Sequence, residues 1–123
     1  MTLSPIIIVE DDPSFAESLF TALTRAGYTA LTAIDGEDAL KQMEYLNTSC
    51  LFLVDLMMPK LDGWALLSKI REHGDQNKLT HRAIVISGSA NAEDIARQEG
   101  VGFLAKPFEL AALLSVVKQS VEI

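Results

Sequence analysis

Five short apolar runs, each followed by a helical pattern, constrain this chain more than any other feature. In chain order they are "IIIV" at 6–9, "YTALTA" at 28–33, "CLFLV" at 50–54, "AIVIS" at 83–87 and "VGFLA" at 101–105. The first and third are apolar at successive positions, and only the second alternates. Strands covered on both faces have continuous runs, whereas a strand with one wet face alternates.

Helical patterns with readable ends fill the gaps. Asp12-Pro13 supplies an N-cap and a proline at the first helical position. Phe15, Ala16, Leu19, Leu23 and Ala26 then form a stripe, and Gly27 suits the left-handed position that ends a helix. Asp35 caps a second helix, with Ala39, Leu40, Met43 and Leu46 inward. Asp62-Gly63 opens a third, with Leu66, Leu67 and Ile70 inward. Asn91 opens a short fourth that Gly100 closes. Pro107 opens a fifth, with Leu110, Leu113, Leu114, Val117 and Val121 inward. The longest polar segment, "HGDQNKLTHR" at 73–82, reads as a surface loop, with His73 and His81 as surface residues. Five strand-helix units in succession imply a parallel sheet, right-handed crossovers and helices on both faces. With 123 residues and no linker, the chain reads as one domain, 1–123.

An open parallel sheet binds ligands beyond the carboxyl ends of its strands. There the first run delivers Glu10, Asp11 and Asp12, and the third delivers Asp55. The fourth delivers Ser87-Gly88, the fifth Lys106-Pro107, and the second nothing reactive. Carboxylates crowded at one edge repel one another unless compensated. A hard cation relieves this, and Mg2+ typically takes one or two carboxylates, several waters and phosphate oxygens. A carboxylate such as Asp55 is a competent nucleophile toward phosphorus. Phosphoryl transfer needs positioning and charge neutralisation, which a metal and Lys106 supply, while Ser87 can donate to a phosphoryl oxygen.

Each residue also has a plainer reading. Asp55 as a strand-end cap fits poorly, because Met57, Met58 and Pro59 begin no helix. Asp12 is mainly a helix cap, Asp62-Gly63 a turn and helix start, and Pro59 a shaper of the loop between. Trp64 reads as packing or surface cover, and Phe103 by itself as a core aromatic.

Composition excludes several functions. The net charge is -7, from 17 acidic against 10 basic residues. Direct binding to nucleic acid or an anionic membrane rewards the opposite sign. Cys50 is the single cysteine, so it forms no internal disulfide and reads as a buried thiol. No apolar stretch approaches the length of a membrane span, and "MTLSPIIIVEDD" lacks the basic start of a secretion signal. A cytoplasmic location is expected.

Taken together, "VEDD", "VDLMMPKLDG", the pair "SG" at 87–88 and "KPF" at 106–108 resemble the bacterial two-component response-regulator receiver domain, over essentially the whole chain. Each motif alone is common; their order and spacing together are specific. The resemblance implies a flavodoxin-like, doubly wound α/β fold: a five-stranded parallel sheet of order 2-1-3-4-5 with five helices on both faces. It implies Asp55 as phosphoacceptor, Asp11 as a direct Mg2+ ligand, Glu10 as a helper through water and the Met57 carbonyl as the third protein ligand. Ser87 would hydrogen-bond the phosphoryl group, Lys106 would pair with it, and Lys106-Pro107 would be cis. Phe103 matches the family's switch aromatic, though as Phe it brings no hydroxyl. Ser stands at position 87 where Thr is commoner, and Glu at position 10 where Asp is also used; neither removes the chemistry.

The function so implied is a phosphorylation-controlled switch rather than an enzyme acting on a separate substrate. A sensor histidine kinase or histidine phosphotransferase would supply the phosphoryl group. A face spanning roughly residues 88–121 would pass the signal to a downstream protein or effector domain, or pair two copies of the chain. The chain ends soon after the fifth helix, which fits either a single-domain regulator or a receiver within a longer protein. Met57 places an apolar side chain beside the acceptor, so slow self-dephosphorylation is expected. Three other classes compete. A receiver that has lost phosphorylation would not need the full acidic, hydroxyl and lysine set. A haloacid-dehalogenase-like hydrolase usually has a second Asp where Met57 stands. A flavodoxin-like electron carrier would not place three acids where its phosphate loop should be.

Overall fold

The computed structural model describes residues 4–56 and 62–121. Strands and helices alternate through them: β1 (Ile6–Val9), α1 (Pro13–Arg25), β2 (Ala30–Ala33), α2 (Gly36–Leu46), β3 (Leu51–Asp55), α3 (Gly63–Asn77), β4 (Arg82–Ser87), α4 (Ala90–Glu99), β5 (Gly102–Ala105) and α5 (Leu110–Val121). All strand pairs are parallel, in the order β2-β1-β3-β4-β5. The sheet order is the one the resemblance implied.

Burial follows position in the sheet. Every residue of β1 and β3 is buried, whereas the edge strands β2 and β5 keep accessible positions. Strand side chains alternate between faces, and the core divides accordingly. Ile7, Val9, Phe52, Val54 and Val85 pack with Met43 of α2 and Leu66, Leu67 and Ile70 of α3. Ile6, Ile8, Leu53, Ile84 and Ile86 pack on the other side with Leu19 and Leu23 of α1 and Leu113 and Val117 of α5. Trp64 packs at the margin of the first cluster, consistent with a packing role.

The helix ends obey the local chemistry. Asp12 accepts hydrogen bonds from the Ser14 and Phe15 amides, Asp35 from the Asp38 amide and Asp62 from the Ala65 amide. Gly27 and Gly100 adopt positive φ after α1 and α4.

Three expectations need correction. Residues 73–77 are not loop but the end of α3, and Arg82 already belongs to β4. The apolar stripe marks only the helix face that meets the sheet; here it continues as a glycine, Gly74, which is buried. A Cβ on Gly74 would stand 2.9 Å from the Leu79 carbonyl oxygen, so the absent side chain admits the returning chain. His73 and His81 are not plain surface residues either. The Cys50 amide donates to His81 Nδ1 at 3.1 Å, and His81 Nε2 lies 3.0 Å from His73 Nδ1 with the rings stacked. Since the Cys50 N–H fills Nδ1, His81 carries its proton on Nε2 and donates to His73. Third, α5 begins at Leu110 rather than Pro107, and Phe108, which lies between them, packs on Phe15. Leu110 is exposed, as is Ala26 at the end of the α1 stripe.

Candidate functional site

The carboxyl ends of β1, β3, β4 and β5 bring Glu10, Asp55, Ser87 and Lys106 to one edge. Glu10, Asp55 and Ser87 are the buried polar or charged residues among those described. Burying such groups is expensive unless each is matched by a partner, so their concentration here marks the site. Asp55 ends β3 in register with Ile86, and the next amide, Leu56, donates to the Ile86 carbonyl. The Asp55 carboxylate is thereby held by a central strand rather than a loop.

Lys106 Nζ lies 2.6 Å from Asp55 Oδ2. The Lys106 amide donates to the Ser87 carbonyl, joining β5 to β4 at the site, and the Lys106-Pro107 peptide is cis. Ser87 Oγ accepts the Ser89 N–H at 3.0 Å. An open cleft of about 650 Å³ is lined by Glu10, Asp11, Asp12, Asp55 and Lys106, with Pro107 and two aromatic rings, Phe15 and Phe108. Ser87 is buried and is not among the lining residues. Asp11 is exposed, Asp12 is engaged in capping α1, and Gly63 is buried at the start of α3. Phe103 is partly buried against the cluster under α2 and α3. Met57 and Pro59 lie outside the described residues.

Glu10 is the unusual member. Oε2 accepts the Asp12 amide at 3.1 Å, but Oε1 is buried with no hydrogen-bond partner among the described residues. Burial, with the neighbouring Asp55 carboxylate next in weight, pushes the Glu10 pKa up to about 8. A proton on Glu10 could be shared with Asp55; without it, the pocket holds an unmatched oxygen facing another carboxylate. Such a donor set fits a hard, oxygen-seeking cation. No three potential ligands among the described residues already surround one point. A hydrated Mg2+ requires only one or two carboxylates, so the residues present fit it.

Sequence reasoning missed two lining groups. Phe15 read as one more core residue of the α1 stripe, and Phe108 only as the last letter of "KPF". The ring of Phe15 instead lies under Lys106, with Nζ 4.8 Å from its centroid.

The profile of the response regulator receiver domain matches residues 6–118. The chain belongs to this family.

Receiver domains are phosphorylatable signalling domains of two-component systems rather than conventional enzymes. Over 118 residues the chain is 31% identical to the transcriptional regulatory protein DltR of Streptococcus agalactiae, covering 92% of this chain and 50% of that protein. It is 30% identical to protein PilG of Pseudomonas aeruginosa, covering 94% of this chain and 86% of the relative. The solved receiver domain from Bermanella marisrubri is similar with a TM-score of 0.82 and 28% identity, over 96% of this chain and 98% of that one. The chain spans about half the length of several curated relatives it matches. No helix among the described residues is long and apolar enough to cross a membrane.

Proposed function

We propose that Asp55 is the phosphoacceptor of this receiver, and that residues 1–123 work as one receiver unit. The observation that carries this reading is the buried Asp55 carboxylate paired with Lys106 at 2.6 Å, with the buried Glu10 Oε1 that has no hydrogen-bond partner among the described residues. An Asp55 oxygen attacks phosphorus in line, and the bond from phosphorus to the partner's histidine nitrogen breaks. The histidine nitrogen keeps the bonding electron pair; the ring leaves as neutral imidazole when its other nitrogen already carries a proton, and otherwise takes one from water. Lys106 moves its charge from Asp55 Oδ2 to a phosphoryl oxygen. Ser87, which now accepts the Ser89 N–H, still has its own hydroxyl proton to donate to another. Asp11 and Asp55, with the Met57 carbonyl and Glu10 through water, are the residues that would hold Mg2+. When bound, Mg2+ neutralises charge on the transferring group.

The aspartyl phosphate carries about -1.5 to -2 charges by the rule for phosphorylated side chains. Ser87 and Phe103 are the residues proposed to relay it, by a hydroxyl shift and a ring rotation. The relay ends on the face of α4, β5 and α5. The partners are a sensor histidine kinase or histidine phosphotransferase upstream and a protein or effector domain downstream. A second copy of the chain on the same face is an alternative output.

The test is incubation with Mg2+ and acetyl phosphate, read by intact-mass spectrometry. One added phosphoryl group is expected on the wild type and none on Asp55→Asn. An equal adduct on both, or none on the wild type, refutes the proposal. Turnover of acetyl phosphate far beyond one equivalent would point to a hydrolase instead.

A further inference from the structure

We infer that Phe15 is a positioning residue for Lys106, its ring face holding the ammonium in the cleft as the lysine exchanges Asp55 for a phosphoryl oxygen. The inference rests on the proposed phosphoacceptor role of Asp55. Lysine carries its charge on a flexible four-carbon stem, and Lys106 shares its cleft with Glu10, Asp11, Asp12 and Asp55. Charge alone would let the ammonium choose among four carboxylates. The ring of Phe15 narrows that choice, because Nζ sits 4.8 Å from its centroid, inside the range of cation–π attraction.

The ring is itself anchored. Its backbone N–H donates to Asp12 Oδ1 in the cap of α1, at 3.4 Å. Phe108 packs against it with centroids 6.1 Å apart and planes tilted by 51°. It also packs on the core cluster beneath α1 and α5. A hydrogen bond to Asp55 must break when Lys106 turns to a phosphoryl oxygen, whereas attraction to a ring face tolerates that small swing. An aliphatic side chain would fill the same space without the quadrupole.

The test replaces Phe15 with 4-fluoro-, 3,5-difluoro- and 3,4,5-trifluorophenylalanine, alongside Phe15→Leu and Phe15→Tyr. Fluorines drain the ring's negative face with little change of shape. The initial rate of Asp55 phosphorylation by acetyl phosphate should fall stepwise with fluorine number, by roughly 2- to 10-fold at three fluorines. Phe15→Leu should match the trifluoro variant, and Phe15→Tyr should restore the wild-type rate. A second readout needs neither Mg2+ nor phosphodonor: the Lys106 Hε proton resonances should be ring-current shifted in the wild type and lose that shift in Phe15→Leu. A flat fluorine series with normal wild-type labelling, or an unchanged Lys106 shift in Phe15→Leu, overturns the inference and leaves the phosphoacceptor reading standing. A wild type that takes no phosphoryl group overturns that reading, and the inference with it.

Discussion

Lys106 Nζ meets Asp55 Oδ2 at 2.6 Å across 51 residues of sequence, from an edge strand over β4 to a central one. The pair neutralises one of the carboxylates crowded at this edge. Lys106→Met should therefore destabilise the metal-free protein. Losing one partner of a fully buried pair costs about 3–5 kcal/mol. The Lys106 side chain is 29% exposed, so solvent screening reduces the expected loss to about 1–2 kcal/mol. Urea unfolding would measure it. The double variant with Asp55→Asn should recover much of the loss, since asparagine carries no charge for Lys106 to neutralise; strict additivity would show that the contact matters little.

Glu10 gives a pH prediction. Its folded-state pKa is raised from 4.5 to about 8, so the folded protein holds a proton that the unfolded chain has released. Its stabilising contribution is complete below 4.5 and is lost as pH rises through about 8. Glu10→Gln keeps the neutral form permanently and should abolish that loss in metal-free urea titrations. It should also weaken Mg2+ stabilisation, which for the wild type would reach about 2.7 kcal/mol at one hundred times Kd. Removing Mg2+ with chelator should return the wild type to its metal-free curve.

His81 acts in the opposite direction. Burial first, and then His73, hold its pKa below the ordinary 6.5. The unfolded chain thus takes up a proton before the folded one as pH falls. Stability is complete above 6.5 and is lost as pH drops through that value toward the lowered folded one. Long-range nitrogen–proton NMR should find His81 as the Nε2–H tautomer, titrating below free imidazole. Observation of the Nδ1–H form would contradict the bond from the Cys50 amide.

Gly74→Ala offers a steric test. Alanine favours a helix by about 1 kcal/mol over glycine, but its Cβ would stand 2.9 Å from the Leu79 carbonyl. Overpacking against backbone costs about 1–3 kcal/mol. A net loss in melting temperature is expected, and a gain would show that the α3–β4 turn moves freely.

Met57→Asn tests the residue two positions after the proposed acceptor. A polar side chain there could orient hydrolytic water, so the phosphoryl half-life should shorten. An unchanged decay, followed by intact mass after the donor is removed, would reject this.

Much of the architecture was legible in the sequence because apolar periodicity is local. "IIIV" became β1 residue for residue, and Asp12, Asp35 and Asp62 capped the helices they precede. The residues gathered at the reactive edge were legible too, because a parallel sheet brings all its strand ends to one side. The tertiary structure alone decided which groups meet there. Phe15 lies three residues beyond the α1 cap, Asp12, and nothing in its stripe shows that its ring faces a lysine carried by β5's end. The His73–His81 pair depends on α3 running past its apolar face and on a turn admitted by Gly74. Periodicity reports which face of one element turns inward. Contacts between distant elements, and the charge each group carries as a result, follow from strand order and packing.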